Sequence, residues 1–174
     1  MEAERVAIRP FEPADQPQIR APHDRTAPAG QKLTFPQRWF EELDDIPTKF
    51  LAFWVAVTDD KVIGMVGVME PDEEVPEHIL RGRSGVVRLQ HMRVAPERQR
   101  TGMGRRLTQT VLDWAQAHNY QALVLETTPQ QVAAVNLYEA TGFTEVGRSM
   151  IGKYELVWLE RSLAIGQSDS RQRS

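Results

Sequence analysis

The sequence predicts an α/β protein, and three observations carry that reading. Apolar runs of strand length alternate with amphipathic stretches of helical period. One helical stretch lies directly between two apolar runs, residues 86–94 and 122–126, as a parallel β-α-β crossover requires. Two further pairs of apolar runs are joined by short turns and read as antiparallel hairpins. Together they describe a mixed, mostly antiparallel sheet of about seven strands with about four helices, in the order β-α-α-β-β-β-α-β-α-β-β.

Taken in order, Val6 and Ile8 alternate with Arg5, Ala7 and Arg9, a short strand closed by Pro10 and Pro13. Residues 13–34 hold Pro13, Pro17, Pro22 and Pro28. A long helix cannot run through that spacing, so a broken helix or an irregular loop is expected. Residues 36–43 read as a short helix, with Pro36 near its first turn and Trp39, Phe40 and Leu43 on one face. The runs 50–57 and 62–69 flank Thr58-Asp59-Asp60-Lys61, a hairpin turn suited to its Asp pair. The acidic stretch 70–77 and Arg81-Gly82-Arg83-Ser84-Gly85 read as a long loop.

Residues 86–94 form a strand ended by Ala95-Pro96. Residues 104–118 form a helix with Leu107, Val111, Leu112 and Ala115 on one stripe. A short strand at 122–126 precedes a second helix at 130–141, where Gly142 suits a left-handed terminal cap. Residues 143–149 and 154–159 close the sheet through Ile151-Gly152-Lys153. The polar tail 166–174 is expected to be disordered, and residues 1–165 to form one domain without internal repeats.

Composition narrows the function. A chain of 174 residues, 41% hydrophobic and 26% charged, has an ordinary globular balance and room for a sizeable core. A net charge of -3 argues against a general nucleic-acid binder, which carries a basic face. The absence of cysteine excludes disulfides, thiolate nucleophiles and zinc-thiolate sites. The four histidines are scattered without a His-x-x-x-His pair, so no metal is expected. Glu2 and Glu4 stand where a signal peptide would be basic and no apolar core follows them, and runs such as 50–57 are too short to span a membrane. A cytoplasmic protein with no membrane partner is expected.

The chemistry concentrates in Met92-Arg93-Val94-Ala95-Pro96-Glu97-Arg98-Gln99-Arg100-Thr101-Gly102-Met103-Gly104-Arg105-Arg106-Leu107. A strand ends, an Arg-rich loop follows, and two glycines open an amphipathic helix. Helix N-termini leave backbone N–H groups unpaired and carry partial positive charge, which suits phosphate. Glycine lets the backbone approach a pyrophosphate, and Arg98, Arg100, Arg105 and Arg106 add positive charge. The pattern reads as a polyanion site, most simply for a phosphate ester. A tight turn or a solvated charged surface would explain either feature separately, but not their coincidence. A dinucleotide site fits less well: the third glycine falls at Leu107, and the first lies eight positions after Val94. No Gly-Lys-Ser/Thr follows, which counts against a P-loop.

Gln99-Arg100-Thr101-Gly102-Met103-Gly104 resembles the Gln/Arg-x-x-Gly-x-Gly/Ala signature of the GNAT acetyltransferases, after a strand ending Met92-Arg93-Val94-x-Pro96. Leu125-Glu126-Thr127, then Asn136-Leu137-Tyr138 and Gly142-Phe143, resemble that family's second cofactor-side motif. The resemblance runs from about residue 50 to residue 163.

It implies the GNAT fold, in which two parallel strands splay apart and admit the pantetheine arm of acetyl-CoA, here residues 86–94 and 122–127. Backbone groups of Met92 and Val94 would hold pantetheine and polarise the thioester, and N–H groups from Gln99 to Gly104 would cradle the pyrophosphate beside Arg105. Asn136 would face the pantetheine arm, and Tyr138 would protonate the leaving thiolate; the alternatives are a local backbone contact for Asn136 and core packing for Tyr138. Some relatives keep a Glu or His base six or four residues before Val94, where this chain has Arg88 and Gln90. Glu126 or a water chain is then the candidate base. Strict strand alternation turns His91 to the opposite face. Arg88 is a candidate for a substrate carboxylate, with an ion pair to an acidic residue as the alternative. Trp39, Phe40 and Trp54 are candidates for the acceptor wall.

The activity implied is acetyl transfer from acetyl-CoA to a primary amine of a small molecule or peptide, without a metal. A GNAT-like domain that binds CoA as an inactive sensor or regulator is the first alternative, and a dinucleotide-binding oxidoreductase the second. Relatives of this size are often dimers, so a homodimer is the expectation from resemblance.

Overall fold

The computed structural model describes residues 5–20 and 37–163, with the backbone alone for 37–39. Its strands are β1 (Ala7–Pro10), β2 (Ala52–Thr58), β3 (Lys61–Met69), β4 (Val86–Val94), β5 (Ala122–Thr127), β6 (Thr144–Ile151) and β7 (Tyr154–Ser162). They form one seven-stranded sheet in the order β1-β2-β3-β4-β5-β7-β6. The pairs β1–β2, β2–β3, β5–β7 and β6–β7 are antiparallel, and β4–β5 is parallel, so the sheet is mixed as expected. The α-helices among the described residues are α1 (Gln37–Glu42), α2 (Ile46–Lys49), α3 (Glu77–Leu80), α4 (Met103–Ala117) and α5 (Val132–Ala140). None of these is long and apolar enough to cross a membrane.

The chain divides into two compact units, one from Met1–Glu70 with Leu89–Val111 and the other from Pro71–Arg88 with Leu112–Ser174. In the first, β1, β2 and β3 form an antiparallel meander. The Asp59-Asp60 turn has φ of 46° and 60°, the left-handed pair that a two-residue hairpin needs to match strand twist. Gln18, ending a 3₁₀ turn (Pro13–Gln18), secures that hairpin by donating to the Asp60 carbonyl at 2.9 Å and accepting from the Val62 N–H at 3.0 Å. The meander buries Phe53, Val55, Val62 and Met65 with Ile19, Leu43, Ile46 and Phe50.

In the second unit, β5 pairs with β4 on one side and β7 on the other. Its core holds Val75, Ile79, Val86, Ala122, Val124 and Trp158. The fully buried Trp158 satisfies its indole N–H on the Ser149 hydroxyl at 2.8 Å. At the end of α5, Gly142 has φ of 92°, the left-handed cap foreseen from its position, and Arg161 donates to the Thr141 carbonyl there.

Two short helices depart from the expected order. Ile46–Lys49 and Glu77–Leu80 are single turns of four residues, too short for hydrophobic periodicity to mark. The second interrupts what reads from sequence as one long loop. Of the broken segment 13–34, residues 21–34 lie outside the described residues, as does the tail 166–174.

Candidate functional site

In the first unit, β4 runs through Met92 and Val94 into a 3₁₀ turn at Pro96–Arg98, and α4 begins at Met103. The intervening loop is knitted by its own polar groups. Gln99 donates from Nε2 to the Val94 carbonyl at 3.2 Å, and the Thr101 hydroxyl donates to the Arg98 carbonyl at 2.6 Å. Arg100 and Gly102 have φ of 62° and 83°. A Cβ at Gly102 would meet nothing within 4 Å, so its backbone conformation, not lack of space, calls for glycine. Farther along, the Arg106 N–H closes onto the Gly102 carbonyl at 3.0 Å, and Thr108 donates to the Gly104 carbonyl at 2.8 Å. Arg100 and Arg105 are exposed on this loop and first turn; Arg106, also largely exposed, donates to the Val6 carbonyl at 3.3 Å. A fifteen-residue helix thus starts at a loop of left-handed backbone flanked by cations, the arrangement that binds phosphate.

His91 departs from the alternation argument. Its φ of 55° breaks the regular pleat of β4, so period-two counting no longer assigns its face. The ring is buried, with Nε2 3.0 Å from Glu42 Oε2 of α1 and its edge against Phe50. Gln90 beside it is also buried, and so is Trp54 on β2. The side chain of Trp39 lies outside the description, and Phe40 is half-buried.

In the second unit, Arg88 and Glu126 come together. The β4–β5 register runs Val86↔Ala122, Val87↔Leu123, Arg88↔Val124 and ends there, although β4 continues to Val94 and β5 to Thr127. Arg88 is 1% exposed. It donates from Nε and Nη2 to the two carboxylate oxygens of Glu126 at 3.1 and 2.6 Å. Nη1 donates to Asp72 at 2.6 Å and Nη2 to Glu74 at 2.9 Å. The guanidinium also lies 5.3 Å from the centre of the Trp158 ring. Ion pairing, the alternative to a substrate contact, is the geometry seen. Burying a guanidinium is costly without such partners, and the planar fork suits a two-point contact with Glu126. Asp72 and Glu74 carried no signal of their own in the acidic stretch 70–77; only folding shows that they meet Arg88.

Also in the second unit, α5 carries Asn136 and Tyr138. Asn136 is exposed and Tyr138 is buried, its ring edge-on to Phe143 at 5.6 Å. The Tyr138 carbonyl accepts from the Phe143 N–H at 3.0 Å and the Thr141 hydroxyl at 2.9 Å, which fixes the helix end. Among the described residues, no group of three or more His, Asp or Glu is arranged to hold a metal ion.

Compared with known proteins, residues 20–143 match the profile of the acetyltransferase (GNAT) family. The chain belongs to the GNAT acetyltransferase family. Human N-acetyltransferase 8 is 34% identical over 113 residues, covering 62% of this chain and 47% of that protein. Human N-acetylaspartate synthetase is 38% identical over 112 residues, covering 64% of this chain and 33% of that protein. This GNAT chain therefore matches between a third and a half of the length of these curated relatives. A GNAT acetyltransferase from Staphylococcus aureus superposes with a TM-score of 0.76 at 16% identity, covering 92% of this chain and all of that one. Arabidopsis thaliana NAA60, solved with a bisubstrate analogue, superposes with a TM-score of 0.71 at 17% identity, covering 91% and 98%. These likenesses establish the fold.

Proposed function

We propose that the chain transfers an acetyl group from acetyl-CoA directly to a primary amine of a small molecule or peptide. The observation that carries this reading is the loop from Gln99 to Gly104, with left-handed backbone, exposed arginines and a long helix opening at its end. Family membership and the bisubstrate analogue bound to the plant structural neighbour agree with it.

In this reading the N–H groups of Gln99, Arg100, Thr101, Gly102, Met103 and Gly104 receive the pyrophosphate, with Arg105 beside them. The backbone of Met92 and Val94 pairs with the pantetheine amides as an added strand and polarises the thioester carbonyl. Asn136 contacts the pantetheine arm. The Tyr138 hydroxyl gives its proton to the departing thiolate. An alkyl ammonium has a pKa of about 10, so the amine must lose a proton before it attacks. That proton leaves either through a chain of waters or to Glu126, whose carboxylate is also held by Arg88. Gln90 lines the acceptor side.

Calorimetric titration with acetyl-CoA and, separately, with NAD tests the assignment. Micromolar acetyl-CoA binding without NAD binding is expected, followed by CoA release with an amine panel. Gly104→Glu places a side chain and a negative charge at the pyrophosphate and should abolish that binding; unchanged affinity sinks the loop assignment. Acetyl-CoA binding without release of CoA to any amine or peptide would instead favour a sensor or regulator, and NAD binding alone an oxidoreductase.

A further inference from the structure

Arg88 stands where β4 and β5 stop pairing. Arg88↔Val124 is the last pair of the β4–β5 ladder, and beyond it the two strands run on, unpaired with each other, toward their carboxyl ends, the side on which open α/β sheets present ligands. A buried guanidinium takes a carboxylate partner, either a ligand's or the protein's own. Here the chain supplies the anions itself. Glu126 takes the guanidinium on its Nε/Nη2 edge, while Asp72 and Glu74, from the segment after β3, take Nη1 and Nη2. Their exposures order the layers: the side chain of Glu126 is 7% exposed, that of Glu74 10% and that of Asp72 31%. Asp72 is thus the outer member, between Arg88 and solvent. The Asp72 carboxylate is also fixed by its own loop, since the Glu74 backbone N–H donates to Asp72 Oδ1 at 3.0 Å.

Resting on the acetyl-transfer reading, we propose that Asp72 and Glu74, held by Arg88, determine the charge of the acceptor as a built-in stand-in for an acceptor carboxylate. An amine with a carboxylate close to its nitrogen finds the guanidinium already engaged and meets negative charge at short range. A neutral or cationic amine meets no such opposition. The selected class is therefore amines lacking a neighbouring carboxylate, in contrast to the N-acetylaspartate in the name of one 38% identical relative. The loop carboxylates are the specificity-determining groups, and Arg88 positions them.

The test compares acceptors that differ by carboxylates alone: tyramine against tyrosine, and aspartate diamide against aspartate. CoA release gives kcat/KM, and calorimetric titration of each acceptor into the protein–CoA complex gives affinity where turnover is slow. The parent should favour the carboxylate-free member of each pair by about tenfold or more, the scale of one charge-assisted contact. Asp72→Asn, and Asp72→Asn with Glu74→Gln, should shift that ratio toward the carboxylate-bearing member by about tenfold. Acetyl-CoA affinity should stay at the parent value. The single variant changes a partly exposed residue, so the result does not depend on the double variant folding. A parent that binds acetyl-CoA yet prefers tyrosine or aspartate overturns this inference alone, as does a ratio unmoved in Asp72→Asn at parental acetyl-CoA affinity. Failure of the parent to bind acetyl-CoA overturns the acetyl-transfer reading and this inference with it.

Discussion

Gly102 offers a way to separate backbone conformation from steric access at the proposed pyrophosphate loop. Its φ of 83° lies in a region that costs a non-glycine residue about 1–2 kcal/mol, and more for a β-branched one. A Cβ there would meet nothing within 4 Å of the protein, so clash contributes no further cost. A variant that relaxes the strain by leaving this conformation is competent to bind only in the fraction of molecules that return to it. About 1–2 kcal/mol corresponds to a five- to thirtyfold loss of competent molecules, and acetyl-CoA affinity should fall by that factor in Gly102→Ala. Gly102→Val should fall further. Asparagine tolerates left-handed backbone, so Gly102→Asn should lose only a few fold despite its larger side chain. Calorimetric titration of the three variants with acetyl-CoA measures the series. An Asn variant as weak as the Val variant would mean that any side chain blocks the ligand; a Val variant equal to the parent would mean that this conformation plays no part in binding.

Tyr138→Phe keeps the ring against Phe143 and removes the hydroxyl, so kcat should fall about tenfold or more while acetyl-CoA affinity holds; an equal kcat with a good acceptor removes Tyr138 as the acid. Gly142→Ala forces a side chain onto a φ of 92° and places its Cβ 2.9 Å from Arg161 Nη1, the group that donates to the Thr141 carbonyl. A loss of about 1–3 kcal/mol in urea denaturation is expected, and an unchanged midpoint refutes it. Arg9 holds the Asp15 carboxyl below its ordinary range by donating to both oxygens, at 2.8 and 2.9 Å. Because the folded pKa is the lower one, this stabilisation is complete above the unfolded value of about 4 and is lost as pH falls through the folded value. Asp15→Asn should cost about 1 kcal/mol at pH 7, a modest figure because Arg9 remains a third exposed, and the gap to the parent should close in acid. A gap that stays constant down to pH 2 contradicts the assignment.

What the sequence by itself determined was whatever is encoded by neighbours along the chain. Apolar runs of strand length bounded by turn residues marked β2, β3 and β4, and the 3.6-residue stripe marked α4, because each signal is carried by consecutive residues of its element. Gly142 marked a left-handed cap and Asp59-Asp60 a hairpin turn, because few residues suit such backbone, whereas the left-handed φ of Gly102 came from the structure. The cofactor-loop residues could be named as candidates for the same reason: they lie on one continuous segment. The single turns α2 and α3 escaped because four residues hold no period. Only the tertiary structure decided the company of Arg88. Asp72, Glu74 and Glu126 stand 16, 14 and 38 residues from it in sequence, and nothing local specifies which carboxylates among 24 acidic residues reach the guanidinium. The same holds for His91 and Glu42, 49 residues apart, where a φ of 55° also upset the alternation on which the face of His91 was counted. Ion pairs of this kind are settled by packing, since a buried charge takes the partner that the folded backbone brings within reach.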